Sequence, residues 1–355
     1  MSILFTPLTI GKYQLKNRII MAPLTRGRAT DGGAPNALMA EYYAQRATAG
    51  LIIAEATAVS KNGLGWMNAP GLFTDQQQQG WKKVADAVHD NDGRIFVQLW
   101  HMGSTVHPDF LNGEQPVSSS SVKQQGALKT PKGRDREFVV PRALSKYEIS
   151  EIVSDFAQAA QRAIDAGLDG VEIHAANGFL IDQFTRDSVN QREDEYGGSV
   201  GNRLRFMTEV VAAVCKQIGS EKVGIRLSPT NSVWGIKDSN PKGTFTSAVE
   251  KLNEFNLAYI HVLEPKPVDQ SLYLTTELRK IYQGNLLING GYTKESANDA
   301  LVNKEGDAVT FGGHFIANPD LVNRFRLGAA LAVPDSDTFY TDSEKGYTDY
   351  LPMEV

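Results

Sequence analysis

Three residues whose side chains are candidates for a catalytic or binding site lie close together within residues 169–192. His174 ends a short apolar run, residues 170–173, that is too brief for a helix, and Asn177 and Phe179 follow it directly. Such a run is typical of a buried strand that delivers polar side chains into a site. His174 and Asn177 together can donate two hydrogen bonds to one substrate oxygen and polarise the substrate for attack at a conjugated atom.

His174 has two other interpretations. A histidine in such a run can be a structural residue whose hydrogen bonds are satisfied in the core, but the strand-end position and Asn177 three residues later favour a functional role. A metal site is less favoured, because His174 has no partners at the spacing of metal ligands.

Two glycine pairs, Gly290–Gly291 and Gly312–Gly313, follow apolar runs that predict the seventh and eighth strands. At these strand ends of a barrel, glycines let backbone N–H groups approach a phosphate. Each pair alone is explained equally well by a tight turn between a strand and a helix, which also needs glycine. The presence of both pairs favours a phosphorylated ligand.

Arg226 interrupts an otherwise apolar strand, so inside a barrel its guanidinium needs an anionic partner. Glu172 or Glu55 is the structural alternative, and a bound anion or an electron-rich ring is the functional one. Gln98 and Thr25, also at strand ends, can bind the edge of a heterocycle or only each other's backbone.

The elements that must position these residues alternate between short apolar strands and helices. The strands are predicted at residues 19–25, 51–56, 95–100, 170–174, 222–228, 258–263, 285–289 and 307–311. Helices are predicted at residues 37–49, 75–91 (with Asp75 as the N-cap), 146–166, 202–218, 246–255, 271–282, 294–302 and 319–327.

Continuous apolar strands of this kind belong to parallel sheets that are covered on both faces. Closure at eight strands predicts an α/β fold, a (β/α)8 TIM barrel, in which chemistry takes place at the C-terminal ends of the strands. A doubly wound open sheet is the alternative, but no Gly-x-Gly-x-x-Gly motif follows a strand.

Two segments depart from the alternation. A short N-terminal hairpin is predicted near residues 11–13, and residues 101–145 form a long insertion after the third strand, with a serine run and several Gly and Pro residues. A long insertion without predicted structure is usually functional, so we expect a capping lid within a single domain of residues 1–355.

Composition excludes several classes of protein. The net charge of -5, without a basic tract, argues against a general binder of nucleic acid or anionic membranes. The single cysteine, Cys215, excludes an internal disulfide framework and a cysteine zinc cluster. Neither a signal peptide nor an apolar run of about eighteen residues is present. We therefore expect a cytoplasmic, unexported protein.

Several segments occur in an order that resembles the Old Yellow Enzyme family of flavin-dependent ene-reductases. They are NRIIMAPLTR from Asn17, QLWHMG from Gln98, EIHAANGFL from Glu172, NQR and YGGS within residues 190–199, GIRLSP from Gly224 and FIANPDL from Phe315. The resemblance covers nearly the whole chain, to residues 346–350.

The resemblance implies a barrel that binds FMN noncovalently, is reduced by NADPH or NADH, and passes hydride through flavin N5 to an activated alkene, quinone or nitro compound. It assigns His174 and Asn177 to the acceptor's oxygen, Thr25 to tuning the flavin potential and Arg226 to the reduced ring near N1. The residues expected around FMN are Pro23, Leu24, Thr25, Ala56, Gln98, Arg226, Gly290, Gly291, Gly312 and Gly313. Those expected to shape the substrate pocket are Trp66, Trp100 and Tyr340, although each alone is more often a packing residue.

Three positions differ from the family's usual pattern. Phe179 stands where the family usually has a tyrosine that protonates the substrate carbon, Gly313 where an arginine usually holds the phosphate, and Ser104 where an arginine is frequent near the lid. General acid catalysis contributes about 10²–10⁴-fold, so Phe179 predicts weak alkene reduction.

The expected function is therefore NAD(P)H-dependent FMN oxidoreduction of small electrophiles, mainly quinones, nitro compounds and nitrate esters, by a monomer or homodimer. The alternatives are an ordinary ene-reductase with another proton donor and a flavin-binding protein with impaired catalysis. A flavin-free lyase acting on a sugar phosphate would need a Schiff-base lysine or metal ligands at a strand end, and none stands there.

Overall fold

The computed structural model describes residues 2–265 and 273–353, and it begins with an antiparallel hairpin of strands β1 (Leu8–Ile10) and β2 (Tyr13–Leu15). Ile10 and Leu15 are almost fully buried and belong to one apolar cluster with Ile20, Phe96 and Leu287 of the barrel. The hairpin therefore closes the N-terminal end of the barrel.

Eight parallel strands form a closed barrel, as the alternating pattern predicted. Each pairs with its neighbours in chain order, and the last pairs with the first. The strands are β3 (Ile19–Met21), β4 (Leu51–Ala58), β5 (Ile95–Trp100), β10 (Gly170–His174), β11 (Val223–Leu227), β12 (Tyr259–Leu263), β13 (Leu286–Asn289) and β14 (Ala308–Phe311).

The barrel interior changes from apolar to polar along the strands. Near the N-terminal ends lies the apolar cluster that the hairpin covers. One inward position further along, Gln98 and Glu172 pair in register, and at the C-terminal ends His174 pairs with Arg226. Because strand side chains alternate between two faces, these polar groups share the interior while their neighbours pack against the helices.

A bulge in β4 directs the side chain of Ala56 toward the barrel interior. Ala54 pairs with Val97 and Ala56 with Gln98, so Glu55 is the extra residue of the strand. An extra residue redirects the side chains that follow it.

The insertion after β5 contains short strands that its sequence did not predict. Strands β6 (Val117–Ser118) and β9 (Arg142–Ala143) are parallel, and β7 (Ala127–Lys129) and β8 (Asp135–Glu137) form an antiparallel pair. Pairs of two or three residues leave too little periodicity to recognise in the sequence.

Buried Gln183 joins this insertion to the barrel. Its Oε1 accepts hydrogen bonds from the backbone N–H of Ser104 (3.1 Å) and from Ser118 Oγ (2.9 Å), and its Nε2 donates to the carbonyl oxygens of Met102 and Gly178. Ser104, one of the three positions that differ from the pattern of the resembled family, is therefore buried at the junction between the insertion and the barrel.

Eleven α-helices lie within the described residues. They are α1 (Ala37–Ala44), α2 (Asp75–His89), α3 (Lys146–Asp165), α4 (Leu180–Thr185), α5 (Val200–Arg203), α6 (Arg205–Ile218), α7 (Pro241–Leu252), α8 (Thr275–Ile281), α9 (Lys294–Val302), α10 (Gly313–Ala317) and α11 (Leu321–Leu327). In this part of the chain, none of them is both long and apolar enough to cross a membrane.

Several helix predictions were wrong in detail. The helix predicted at residues 202–218 is interrupted at Leu204, and α7 begins at Pro241 instead of residue 246 because the Asn240 side chain caps it. Thr74, instead of Asp75, caps α2. The short helices α4 and α10 were not predicted, and residues 271–272 of another predicted helix lie outside the described residues.

His101 connects β5 to the insertion and is buried in its neutral form. Its Nδ1 accepts a hydrogen bond from the N–H of Gly103 (3.1 Å), and its carbonyl oxygen accepts one from Leu180 N–H (3.0 Å). Burial lowers the pKa of His101 from 6.5 to about 4. The unfolded chain therefore binds a proton between these pH values that the folded chain does not bind.

We expect the stability that neutral His101 contributes to be complete above pH 6.5 and to be lost as the pH falls toward 4, with a loss of about 2 kcal/mol by about pH 5. His101→Asn keeps an acceptor for the N–H of Gly103 but cannot titrate. Between neutral pH and pH 5, its unfolding free energy should therefore fall by about 2 kcal/mol less than that of the wild type. Urea unfolding near neutral pH and near pH 5 measures both proteins. An identical pH dependence would contradict this account.

Candidate active site

A cavity of about 380 Å³ opens at the C-terminal ends of the barrel strands and brings together twelve residues that the sequence analysis named. They are Pro23, Leu24, Thr25, Ala56, Trp66, Gln98, Trp100, His174, Asn177, Phe179, Arg226 and Tyr340. Residues from separate strands and loops therefore share one space.

His174 is buried at the end of β10, beside Arg226 of β11. Burial, assisted by the positive charge of Arg226 and by His261, lowers the pKa of His174 well below 6.5. The imidazole is therefore neutral at neutral pH, with one N–H donor and one acceptor nitrogen. Its Nδ1 is buried and has no hydrogen-bond partner within residues 2–265 and 273–353.

Asn177 is held by the loop that follows β11. Its backbone has φ = 58°, in the left-handed region that asparagine tolerates, and its N–H donates to Ser228 Oγ (2.8 Å). The carbonyl oxygen of Ser228 accepts from Arg186 Nη2 (2.6 Å), and Asp182 bonds both Arg186 Nε (2.7 Å) and the N–H of Gly178 (2.9 Å). This buried network fixes the loop carrying Asn177 against the next strand.

Phe179 occupies the middle of an aromatic group in the cavity. Its ring meets Trp100 edge to face at 4.8 Å between centroids and His174 at 4.9 Å. The phenyl ring fills the space beside the proposed oxygen-binding groups, but it has no proton to donate.

Arg226 is buried with unused hydrogen-bonding capacity. Its Nη2 donates to Asn289 Oδ1 (3.2 Å), while its Nε has no partner in the described part of the chain. Burial lowers its pKa, and the negative charge of Glu172 opposes this effect. Glu55, the other partner that the sequence allowed, accepts instead from the N–H groups of Arg26 and Gly27 and from Tyr43, so that alternative was wrong.

Beneath the cavity, Gln98 belongs to a buried polar chain. Its Nε2 donates to Glu172 Oε1 (2.7 Å), Glu172 Oε2 contacts His261 Nδ1 (2.9 Å), and His261 Nε2 contacts Thr310 Oγ1 (2.9 Å). The amide nitrogen of Gln98 therefore bonds this chain, and its oxygen remains available to the cavity.

The four predicted phosphate glycines lie beyond the lining of this cavity, and they differ from one another. A Cβ added at Gly291 (φ = 79°) or Gly313 would meet nothing within 4 Å, so both border open space. At Gly312 it would lie 3.2 Å from Leu24 Cδ2, and at Gly290 only 2.3 Å from the Glu264 carbonyl oxygen. Gly290 is thus needed for close packing, whereas Gly291 and Gly313 leave room for a ligand.

Trp66 and Tyr340 meet at the cavity's outer edge, with ring centroids 5.2 Å apart, and Tyr340 is 58% exposed. The preceding Phe339 carbonyl accepts hydrogen bonds from Arg26 Nε (3.1 Å) and Arg28 Nη1 (2.8 Å). Two buried arginines after β3 therefore hold the C-terminal segment that carries Tyr340.

Sequence reasoning missed four residues of the cavity: Asn231, Val233, Trp234 and Leu263. Leu263 is the last residue of β12, so a systematic search of strand ends would have found it. The other three lie in the loop after β11, in or beside a short 3₁₀ turn (Val233–Gly235) in which Trp234 adopts φ = 61°. No sequence motif indicates that this loop lines the cavity.

The arrangement fits FMN. The unpaired Arg226 Nε and His174 Nδ1 are buried polar atoms at the cavity, as expected where a planar polar ligand completes the hydrogen bonding. Gly291 and Gly313 leave space for its phosphate. Within residues 2–265 and 273–353, no group of three or more His, Cys, Asp or Glu residues could hold a metal ion.

Comparison with known proteins agrees with this geometry. Residues 3–331 match the model of the NADH:flavin oxidoreductase / NADH oxidase family. The chain is 42% identical to 12-oxophytodienoate reductase 7 of Oryza sativa subsp. japonica, covering 98% of this chain and 94% of that protein. It is also 42% identical to flavin oxidoreductase hxnT of Emericella nidulans, covering 98% and 97%.

Solved structures show the same fold. An Old Yellow Enzyme homologue from Zymomonas mobilis superposes with a TM-score of 0.95 at 46% identity, covering 99% of both chains. Morphinone reductase in complex with tetrahydroNAD also gives 0.95 at 46% identity, covering 99% of this chain and 98% of that one. The chain therefore belongs to the Old Yellow Enzyme family of NADH:flavin oxidoreductases, enzymes that use FMN and a nicotinamide reductant.

Proposed function

We propose that this protein transfers reducing equivalents from NADH or NADPH to quinones, nitro compounds and nitrate esters, and that it reduces α,β-unsaturated carbonyl compounds weakly. The observation that carries this proposal is Phe179, which contacts both Trp100 and His174 in the cavity. The usual proton donor is absent from the place where an alkene would need it.

Bound FMN supplies the hydride-transfer chemistry, and the chain's own residues position the reactants. Arg226, Gln98, Thr25, Pro23, Leu24 and Ala56 would hold the ring, with the guanidinium stabilising negative charge on it. Gly291, Gly312 and Gly313 would approach the phosphate, with Gly290 permitting the close approach of the Glu264 carbonyl.

His174 and Asn177 would bind the acceptor's oxygen by two hydrogen bonds. A neutral histidine suits this role, because it can donate a hydrogen bond without carrying a charge of its own. Trp66, Trp100 and Tyr340 would shape the space around the acceptor. Quinones and nitro groups take their protons on oxygen, which solvent can supply, so Phe179 should impair them less than it impairs alkenes.

We also propose that residues 1–355 form a single domain, with residues 101–145 as a cap over the site. The buried bonds of Gln183 to Ser104 and Ser118 support this arrangement. We further propose a cytoplasmic monomer or homodimer that acts on small molecules. The net charge of -5 and the absence of basic tracts support the proposal that it has no nucleic-acid or anionic-membrane partners.

A second candidate is an ordinary ene-reductase that takes its proton from another group. Relatives named 12-oxophytodienoate reductases favour it. Among the residues that line the cavity, Tyr340 has a phenolic hydroxyl, so it is the alternative proton donor to test.

We expect Phe179→Tyr to raise the rate of cyclohexenone reduction by about 10²–10⁴-fold, because it restores a general acid beside His174. Quinone reduction should change little. The measurement is anaerobic reoxidation of the NADPH-reduced protein by each acceptor in a stopped-flow instrument.

Tyr340→Phe serves as the matched variant, since it removes a hydroxyl at the cavity's edge. If wild-type protein reduces cyclohexenone as fast as quinone and Tyr340→Phe abolishes only the enone reaction, Tyr340 is the donor and the role given to Phe179 is wrong.

We expect Gly313→Arg to tighten FMN binding by about 10- to 100-fold, because a charge-assisted hydrogen bond to the phosphate contributes about 1.5–3 kcal/mol. A Cβ added at Gly313 would meet no atom within 4 Å, so we expect the backbone there to tolerate a side chain. Fluorescence titration of the apoprotein with FMN measures the Kd, and Gly313→Ala is the control. If the arginine and alanine variants have equal affinity, the phosphate does not lie beside residue 313.

A further inference from the structure

The side chain of Asn177 has a partner that determines which way its amide points. Asn231, in the loop after β11, lines the same cavity and donates from Nδ2 to Asn177 Oδ1 at 2.9 Å. The two residues are far apart in the chain, and no motif connects them.

The direction of this hydrogen bond follows from its neighbours. The backbone N–H of Val233 donates to Asn231 Oδ1 (3.0 Å), and a backbone N–H can only donate. The oxygen of Asn231 is therefore turned toward Val233, and its Nδ2 toward Asn177. Asn177 must present its oxygen to that donor, which leaves its own NH2 group for the cavity.

Within the described residues, the side-chain amide of Asn177 has no hydrogen bond other than the one from Asn231. The Ser228 hydroxyl fixes its backbone N–H, but a rotation of the terminal amide by about 180° would exchange oxygen and nitrogen without moving the backbone. Asn231 is the residue whose hydrogen bond distinguishes the two orientations. Without it, Asn177 can offer the cavity either donors or an acceptor.

We propose that Asn231 is a positioning residue that sets the polarity of the oxygen-binding site. It holds Asn177 as a donor beside neutral His174, so the site accepts carbonyl, nitro or phenolate oxygens and disfavours ligand groups that donate. This inference rests on the proposed function, because it assumes that the acceptor's oxygen binds between His174 and Asn177.

The decisive variant is Asn231→Asp. One carboxylate oxygen can still accept from Val233 N–H, and the other faces Asn177 Oδ1. Two acceptors repel each other, so the Asn177 amide turns and places its oxygen in the cavity. We expect the affinity of the oxidised FMN protein for 4-hydroxybenzaldehyde to fall by about 10- to 100-fold and the KM for a quinone to rise, while FMN content is unchanged.

Three control variants distinguish a turned Asn177 amide from an effect of the added negative charge and from a loss of folding. Ser232→Asp places a carboxylate on an exposed neighbour and should leave phenol binding within about twofold of wild type. Asn231→Ala removes the hydrogen bond that orients Asn177 but adds no second acceptor opposite it. Its loss of phenol affinity should therefore be smaller than that of Asn231→Asp. With Asn177→Ala as the background, Asn231→Asp should cost little further affinity, because no amide remains to turn.

Each outcome bears on a different claim. Wild-type affinity in Asn231→Asp, or an equal loss in the Asn177→Ala background, would overturn the orienting role. If Asn231→Asp does not fold, unchanged phenol binding in Asn231→Ala would also overturn it. Wild-type protein that holds FMN but does not bind the phenol would instead contradict the proposed function, because His174 and Asn177 would then not bind a ligand oxygen.

Discussion

The constraint on which the site depends is a guanidinium buried inside a closed barrel. Removing Arg226 from water costs several kcal/mol, and its contact with Asn289 together with the negative charge of Glu172 offsets only part of that cost. Arg226 lines the cavity together with neutral and aromatic residues, and its buried Nε has no hydrogen-bond partner within the described residues. A bound FMN ring that carries negative charge when reduced would offset more of that cost, so cofactor binding would also stabilise the barrel interior.

Hydrogen bonds connect two of the loops at the C-terminal end of the barrel. Asp182 and Arg186 fix the loop after β10 to the carbonyl of Ser228 after β11, and Ser228 Oγ and Asn231 then hold Asn177. Asn177, one of the two residues that would bind the substrate oxygen, is therefore oriented before any ligand arrives. Such preorganisation matters because a donor that must turn during the reaction contributes less to the rate.

Strand order, the closed barrel and the strand-end residues His174, Gln98 and Arg226 could be predicted because their signals are local: apolar runs that end in polar side chains. The bulge at Glu55 and the pairing of Arg226 with Asn289 could not be predicted, because both depend on how separate strands lie against each other. Asn231 escaped prediction for the same reason, since its importance lies in one hydrogen bond across two loops. The break at Leu204 leaves the helical pattern intact on both sides, so periodicity alone does not reveal it.

The central claim is that this barrel is completed by FMN and exchanges electrons through it. The visible absorption spectrum of the purified protein, recorded anaerobically before and after NADH or NADPH and then a quinone, tests this claim directly. We expect a flavin band, retained or restored with FMN at one equivalent per chain, that bleaches with the nicotinamide and returns with the quinone. A colourless protein that cannot be reconstituted with FMN, or a bound flavin that neither nicotinamide reduces, would contradict the account.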